Sequence, residues 1–218
     1  MLAIPVDMGL DGADLRGLGD LAREAERRGI DRLWAPELYR SASVPLAVAA
    51  ASTQRIELAT GIALAFTRSA LVLALEALDL DELSGGRLVV GLGAGVRRLN
   101  ERWHAVPYDP PVRRMREVVA GFRELVAALS ERRDARSEGR FVDLEVVGYR
   151  RPHPVLRPRI PVWLAAVQRG MAALAGEIAD GLLDHPVTTV DWLTQELLPS
   201  IRRGAERAGR TPPPVAGR

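Results

Sequence analysis

Nearly continuous apolar runs alternate along this chain with runs whose apolar positions recur every third or fourth residue. Short unbroken runs read as strands covered on both faces, and the wider spacing reads as helices with one buried side. The first strand is expected at 2–6 (LAIPV). A helix over 14–29 then gathers Leu15, Leu18, Leu21, Ala22 and Ala25 on one side before Gly29 stops it. Further strands are expected at 31–37, 56–64, 87–93, 160–166 and 180–186, and helices at 44–54, 69–84, about 112–129, 171–179 and 191–209. Gly85 and Gly86 supply the C-cap of the 69–84 helix. Six strand–helix units in series predict an α/β fold with a parallel sheet. We read 1–218 as one domain. The stretch 130–159 breaks the rhythm with prolines and two short strand-like runs, so it is expected to be an excursion from the series.

The segment 81–95, DELSGGRLVVGLGAG, ends its strand in three alternate glycines. A dinucleotide-binding turn needs G-x-G-x-x-G with an acid about 20 residues on. Gly91 and Gly93 fit the first two places, but Ala94 and Val96 occupy the candidate third places. Asp109 and Glu117 lie in a proline-broken loop and on a helix, not at a second strand's end. A TIM-type β/α barrel fits better, because barrels place ligands at the C-terminal ends of their strands. Three strand ends here carry small residues: ATGIA (59–63), GLGAG (91–95) and LAAVQRG (164–170). Bare backbone at one mouth leaves room for something flat and large. The helix starting near Gly170, with Arg169 beside it, suits a phosphate.

Composition narrows the chemistry. All 30 basic residues are Arg and face 28 acids, for a net charge of +2. They are scattered, so no basic face for nucleic acid is expected. Without Lys there is no Schiff base, and without Cys there is no disulfide, thiolate nucleophile or thiolate metal site. No apolar run approaches the roughly 18 residues of a membrane span. The start MLAIPVDMGL lacks a basic leader, so a cytoplasmic location is expected. No His or carboxylate spacing predicts a metal. Of the three histidines, His185 beside Asp184 is the best placed, at the sixth strand's end. His104 and His153 are expected to be structural.

The segments LAREAERRGIDRLWAPELYR, IELATGIAL, ALDLDELSGGRLVVGLGAG, VPYDPPVRRMREVVAGFREL and RPRIPVWLAAVQRGMAALAGEIADGLL resemble, in order over about 15–209, the bacterial luciferase-like monooxygenase family. The nearest branch is its coenzyme F420-dependent oxidoreductases. The resemblance implies a β/α barrel that binds F420 or FMN, commonly as a homodimer, and passes a hydride between the reduced cofactor and a small organic substrate. It implies an acid at Glu37 near the ring, with Leu38 standing where the family has His. Thr60, Gly61 and Ile62 fall at a non-proline cis peptide that backs the ring. Gly93, Ala94, Gly95 and Asn100 match cofactor contacts, and Val96 replaces an acid found in some members. Ala165, Ala166, Val167, Gln168, Arg169 and Gly170 match the hold on the cofactor phosphate. Read from its neighbours alone, Glu37 could equally pair with Arg40 or Arg32. With His185, Glu37 is our candidate catalytic residue.

A full barrel has eight units, and six are counted here, so the barrel is expected to be incomplete, lacking C-terminal units. Two alternatives to the F420 oxidoreductase stay open. One is a truncated, non-catalytic flavin-binding protein, and the other is an FMN-dependent monooxygenase using O2.

Overall fold

The computed structural model describes residues 5–216 apart from Asp11 and Ala13. In chain order it contains β1 (Asp7–Gly9), α1 (Leu18–Arg27), β2 (Arg32–Ala35), α2 (Ser43–Ser52), β3 (Glu57–Thr60), β4 (Ala63–Leu64), α3 (Ala70–Ser84) and β5 (Leu88–Gly93). A single π-helical turn, Leu99–Trp103, precedes α4 (Pro111–Glu131). Then come β6 (Ala135–Ser137), β7 (Leu144–Val146), β8 (Val162–Ala165), α5 (Arg169–Ile178) and β9 (Gly181–Leu183). Next, α6 (Val190–Trp192) continues through a π-helical segment, Leu193–Leu197, into α7 (Leu198–Arg207) and β10 (Val215–Ala216).

The strands join in the order β1-β2-β3-β5-β8-β9-β10, with β4 also on β5, and every one of these pairings is parallel. The curled sheet is the barrel wall expected from the strand–helix rhythm. Three departures matter. The expected strand at 2–6 lies mostly outside the described residues, and the pairing seen is at Asp7–Gly9. The run 56–64 is two strands, broken at Gly61–Ile62, whose peptide bond is cis. The tail after the last helix contributes β10, a seventh main strand, where Val215 pairs with Leu182. Three prolines before it hid the strand from a reading based on apolar runs.

Local chemistry sets the ends of the helices. Ser69 caps α3 by accepting from the Val72 N–H at 3.2 Å, and Gly85 ends it at φ 68°, a left-handed turn that suits a residue without Cβ. Pro111 opens α4, where its missing N–H is no loss. The helices α5 and α7 touch backbone to backbone: a Cβ at Gly176 would stand 2.1 Å from the Ile201 carbonyl oxygen.

Alternate residues of the strands point into the barrel. Trp34, Ala59, Val89, Trp163 and Leu183 form that inner cluster, and the two indoles meet edge-on at 5.9 Å. At the strands' N-terminal end Arg32 lies 5.1 Å from the Trp34 ring centre and 4.7 Å from that of Trp163. Its Nε donates to Glu57 at 2.9 Å, and the Trp34 Nε1–H donates to Asp7 at 2.8 Å. Side chains thus fill the interior from below, and any ligand must use the opposite end.

The excursion folds as the antiparallel hairpin β6–β7 followed by a proline-rich strap. Arginines pin the strap to α3: Arg157 Nε donates to Asp81 at 3.0 Å, and Arg151 reaches Asp79 at 2.7 Å and Glu82 at 3.0 Å. No helix among the described residues is long and apolar enough to cross a membrane.

Candidate cofactor cleft

The C-terminal ends of β5, β8 and β9, with the turn between β3 and β4, open onto one cleft of about 380 Å³. Its lining joins Ile62, then Gly93–Val96, then Ala165–Gln168 with Gly170 and Met171, then Leu183–Pro186; Tyr108, Pro111 and Val112 form an outer wall. The three bare turns singled out from the sequence therefore converge.

Two of the three turns are bare for a packing reason. At Gly61 a Cβ would lie 2.9 Å from Trp34 Cε3, so the inner indole supports this turn from below. At Gly91 a Cβ would lie 2.0 Å from the Thr60 carbonyl oxygen, and the Thr60 hydroxyl bonds both polar backbone groups of Gly91, at 2.7 and 2.8 Å. At Gly93 a Cβ would meet Ile62 Cδ1 at 2.5 Å. Gly95 turns the chain at φ 64°. Beneath it Asn100 is fully buried and donates from Nδ2 to the Ala94 and Val96 carbonyls, at 2.7 and 3.1 Å.

The candidate residues thus divide by place. Ile62, Gly93, Ala94, Gly95, Ala165, Ala166, Val167, Gln168, Gly170 and His185 line the cleft. Thr60, Gly61 and Asn100 hold its turns from behind. Glu37 also lies behind: its Oε2 accepts from the Leu64 N–H at 2.7 Å, its Oε1 pairs with Arg68, and its own N–H donates to the Ile62 carbonyl at 3.0 Å. Arg68 also reaches Glu76 at 2.5 Å. Arg32, the partner considered for Glu37 from sequence, is engaged with Glu57 and Asp7. Arg169 stands beside the cleft, paired with Glu196 and 5.6 Å from the Trp192 ring centre. His104 and His153 are exposed and do not line the cleft.

The polar groups facing the cleft are few. Gln168 precedes α5 in extended conformation, and no side chain caps that helix and no acid stands in its first turn. Its first N–H groups therefore present a partial positive charge. The His185 Nδ1 accepts from the Val187 N–H at 3.2 Å, so a neutral ring carries its proton on Nε2 and offers it as a donor. Asp184 Oδ1 fixes this loop by accepting from the His185 N–H at 2.8 Å. Tyr108, missed from sequence, packs edge-on against Phe66 at 6.2 Å with Arg97 on its ring at 5.1 Å. Burial raises its phenol pKa against the opposing pull of Arg97, so it stays protonated. Its signal was the proline-flanked VPYDPP that follows the GLGAG turn. Leu38 and Val96, both exposed, put apolar chains where the resemblance called for His and an acid.

A curled parallel wall flanked by helices, with a bare, mostly apolar cleft at its strand ends, defines the class as a β/α barrel. Within it the chain belongs to the luciferase-like monooxygenase family, whose profile matches residues 2–217. An uncharacterised protein of Mycobacterium tuberculosis strain H37Rv is 37% identical over 205 residues, which cover 92% of this chain and 60% of that protein. The 5,10-methylenetetrahydromethanopterin reductase of Methanolobus tindarius is 28% identical over 197 residues, covering 89% of this chain and 57% of the reductase. Among solved structures, the coenzyme F420 dependent tetrahydromethanopterin reductase from Methanopyrus kandleri superposes with a TM-score of 0.85 at 25% identity, over 98% of this chain and 65% of the reductase. The chain thus spans about 60% of the length of the curated relatives it matches.

Proposed function

We propose that the chain provides the cofactor-binding part of an F420-dependent oxidoreductase acting on a small organic substrate. The observation that carries this reading is the meeting of the Gly61–Ile62, Gly93–Gly95 and Ala165–Gly170 turns on one cleft. The residues present fit such a group. Ile62, Gly93 and Ala94 give a flat apolar floor, and the uncapped start of α5 gives N–H donors for a phosphate. A bound deazaflavin would supply or take up the hydride.

The chain's own residues do the rest. Val96, Tyr108, Val112 and Met171 wall the cleft and present mainly apolar surface to a bound group. His185 offers Nε2–H to an oxygen of ligand or substrate, and the Val187 N–H on Nδ1 fixes that orientation. Glu37 acts through the backbone, holding the turn that carries Ile62. A second reading, a cofactor-binding protein without turnover, is favoured by Leu38 and Val96 in the places of a His and an acid.

Titration with F420 and with FMN, followed by absorbance and fluorescence, tests the proposal. Micromolar binding of F420 in preference to FMN is expected. Preference for FMN would move the reading to an FMN enzyme, and binding of neither would overturn it. Binding without oxidation of the reduced cofactor by any acceptor would favour the second reading.

A further inference from the structure

We propose that Glu196, which stands beside the cleft without lining it, is a specificity-determining residue that competes with a phosphate on the incoming cofactor for the guanidinium of Arg169. This rests on the reading of the β8–α5 turn as the place of the cofactor's anionic end. Arg169 is the first residue of α5, next to Gln168 and Gly170, which line the cleft. Its charge is already engaged by Glu196 while its planar group lies against Trp192. Trp192 in turn donates from Nε1 to the Val167 carbonyl at 3.0 Å, so the segment bearing Glu196 rests on the turn itself. Thr189 fixes the start of that segment by accepting from the Trp192 N–H at 3.2 Å. Glu196 sits in the π-helical stretch Leu193–Leu197, and such local widenings of a helix occur frequently at functional sites.

The electrostatics favour exchange over a permanent tie. The Arg169 side chain is 58% exposed and that of Glu196 28%, so the pair is largely screened and weak. A phosphate offers the planar guanidinium two oxygens to bond at once and meets the N–H groups of the helix start as well. Glu196 then lowers the gain from a phosphate, and favours cofactor exchange over tight retention.

The test compares cofactors with and without phosphate on the full chain at low salt. The pairs are F420 with its phosphate-free deazaflavin, and FMN with riboflavin. Glu196→Gln should tighten the phosphorylated member of whichever pair binds by about threefold and leave the other unmoved. Arg169→Ala should weaken the phosphorylated member by about tenfold. In that background Glu196→Gln should do nothing. If Glu196→Gln leaves or weakens phosphate-dependent binding while Arg169→Ala still removes it, the competition is wrong and the site stands. If Arg169→Ala leaves the discrimination intact, Arg169 does not hold the phosphate and the competition falls while the cleft reading stands; if neither pair binds, both readings fall.

Discussion

Gly93 and Ile62 face each other so closely that a methyl on Gly93 would stand 2.5 Å from Ile62 Cδ1 and 2.9 Å from Cγ1. Both residues line the cleft. The bare Cα at 93 is therefore what lets the Ile62 side chain lie flat. Gly93→Ala must turn Ile62 out of its place and into the space above. We expect cofactor affinity to fall about tenfold, with stability lowered by about 1 kcal/mol or less, because the displaced group is the end of one side chain. Cofactor titration and urea denaturation of the same variant measure the two effects. Equal affinity with a large stability loss would contradict the placement of this turn at the floor.

Glu37 offers a second separation. The Glu37 and Arg68 side chains are each only 14% exposed, and one oxygen of the Glu37 carboxylate serves the Leu64 N–H. Removing it leaves Arg68 with Glu76 alone and an unpaired N–H. Glu37→Ala should lower stability by about 2 kcal/mol, and Glu37→Gln, which keeps an acceptor for Leu64, by about 1 kcal/mol. A strut loses cofactor affinity in step with stability. A group at the reacting atoms would lose turnover in Glu37→Gln with affinity unchanged, and that split is what kinetics with bound cofactor reads.

The contrast between Gly93 and Glu37 marks what sequence could reveal. Strand–helix rhythm and the small residues at strand ends fixed the barrel wall and the meeting of three turns, because both are consequences of local spacing. Long-range pairing was less accessible. Nothing near Glu37 in the chain announces Arg68, which comes 31 residues later. The Arg169–Glu196 pair is likewise between separate elements. The strand β10 was hidden because three prolines precede it and, among the described residues, two pair with β9, too short a run to carry a period. Tyr108 lay in a loop where no spacing rule applies, and only the assembled wall shows it facing the cleft.

Helix packing gives a third prediction. At Gly204 a Cβ would fall 1.9 Å from the Ala173 carbonyl oxygen, and backbone cannot yield as the end of a side chain can. Gly204→Ala gains up to about 1 kcal/mol of helix propensity, but forcing α7 from α5 costs about 3 kcal/mol or more. We expect a net loss of about 2 kcal/mol in urea denaturation. Because α5 begins at the Gln168–Gly170 turn, binding of phosphorylated cofactor should weaken more than binding of its phosphate-free form.

Acid should unfold the protein partly through Glu26. Burial opposes ionisation of this carboxyl, but the N–H groups of Ile56, Arg55 and Gln54 outweigh it and hold its pKa below the ordinary 4.5. All three donate to one oxygen, at 3.0, 2.6 and 2.9 Å. Glu117 is held low in the same way: burial opposes ionisation, and the Phe141 and Val142 N–H groups prevail. A depressed native pKa means that the unfolded chain binds protons first as pH falls. The stabilisation from Glu26 is thus fully present above the ordinary carboxyl range and is lost as pH drops through the lower native value. Glu26→Gln keeps an acceptor for this loop start but removes the titration. The stability gap between wild type and Glu26→Gln should be constant from about pH 8 to about pH 5.5, then narrow towards about pH 3. Urea midpoints across that range give the curve. A gap that widened on acidification would mean that the three N–H groups do not favour the charged form.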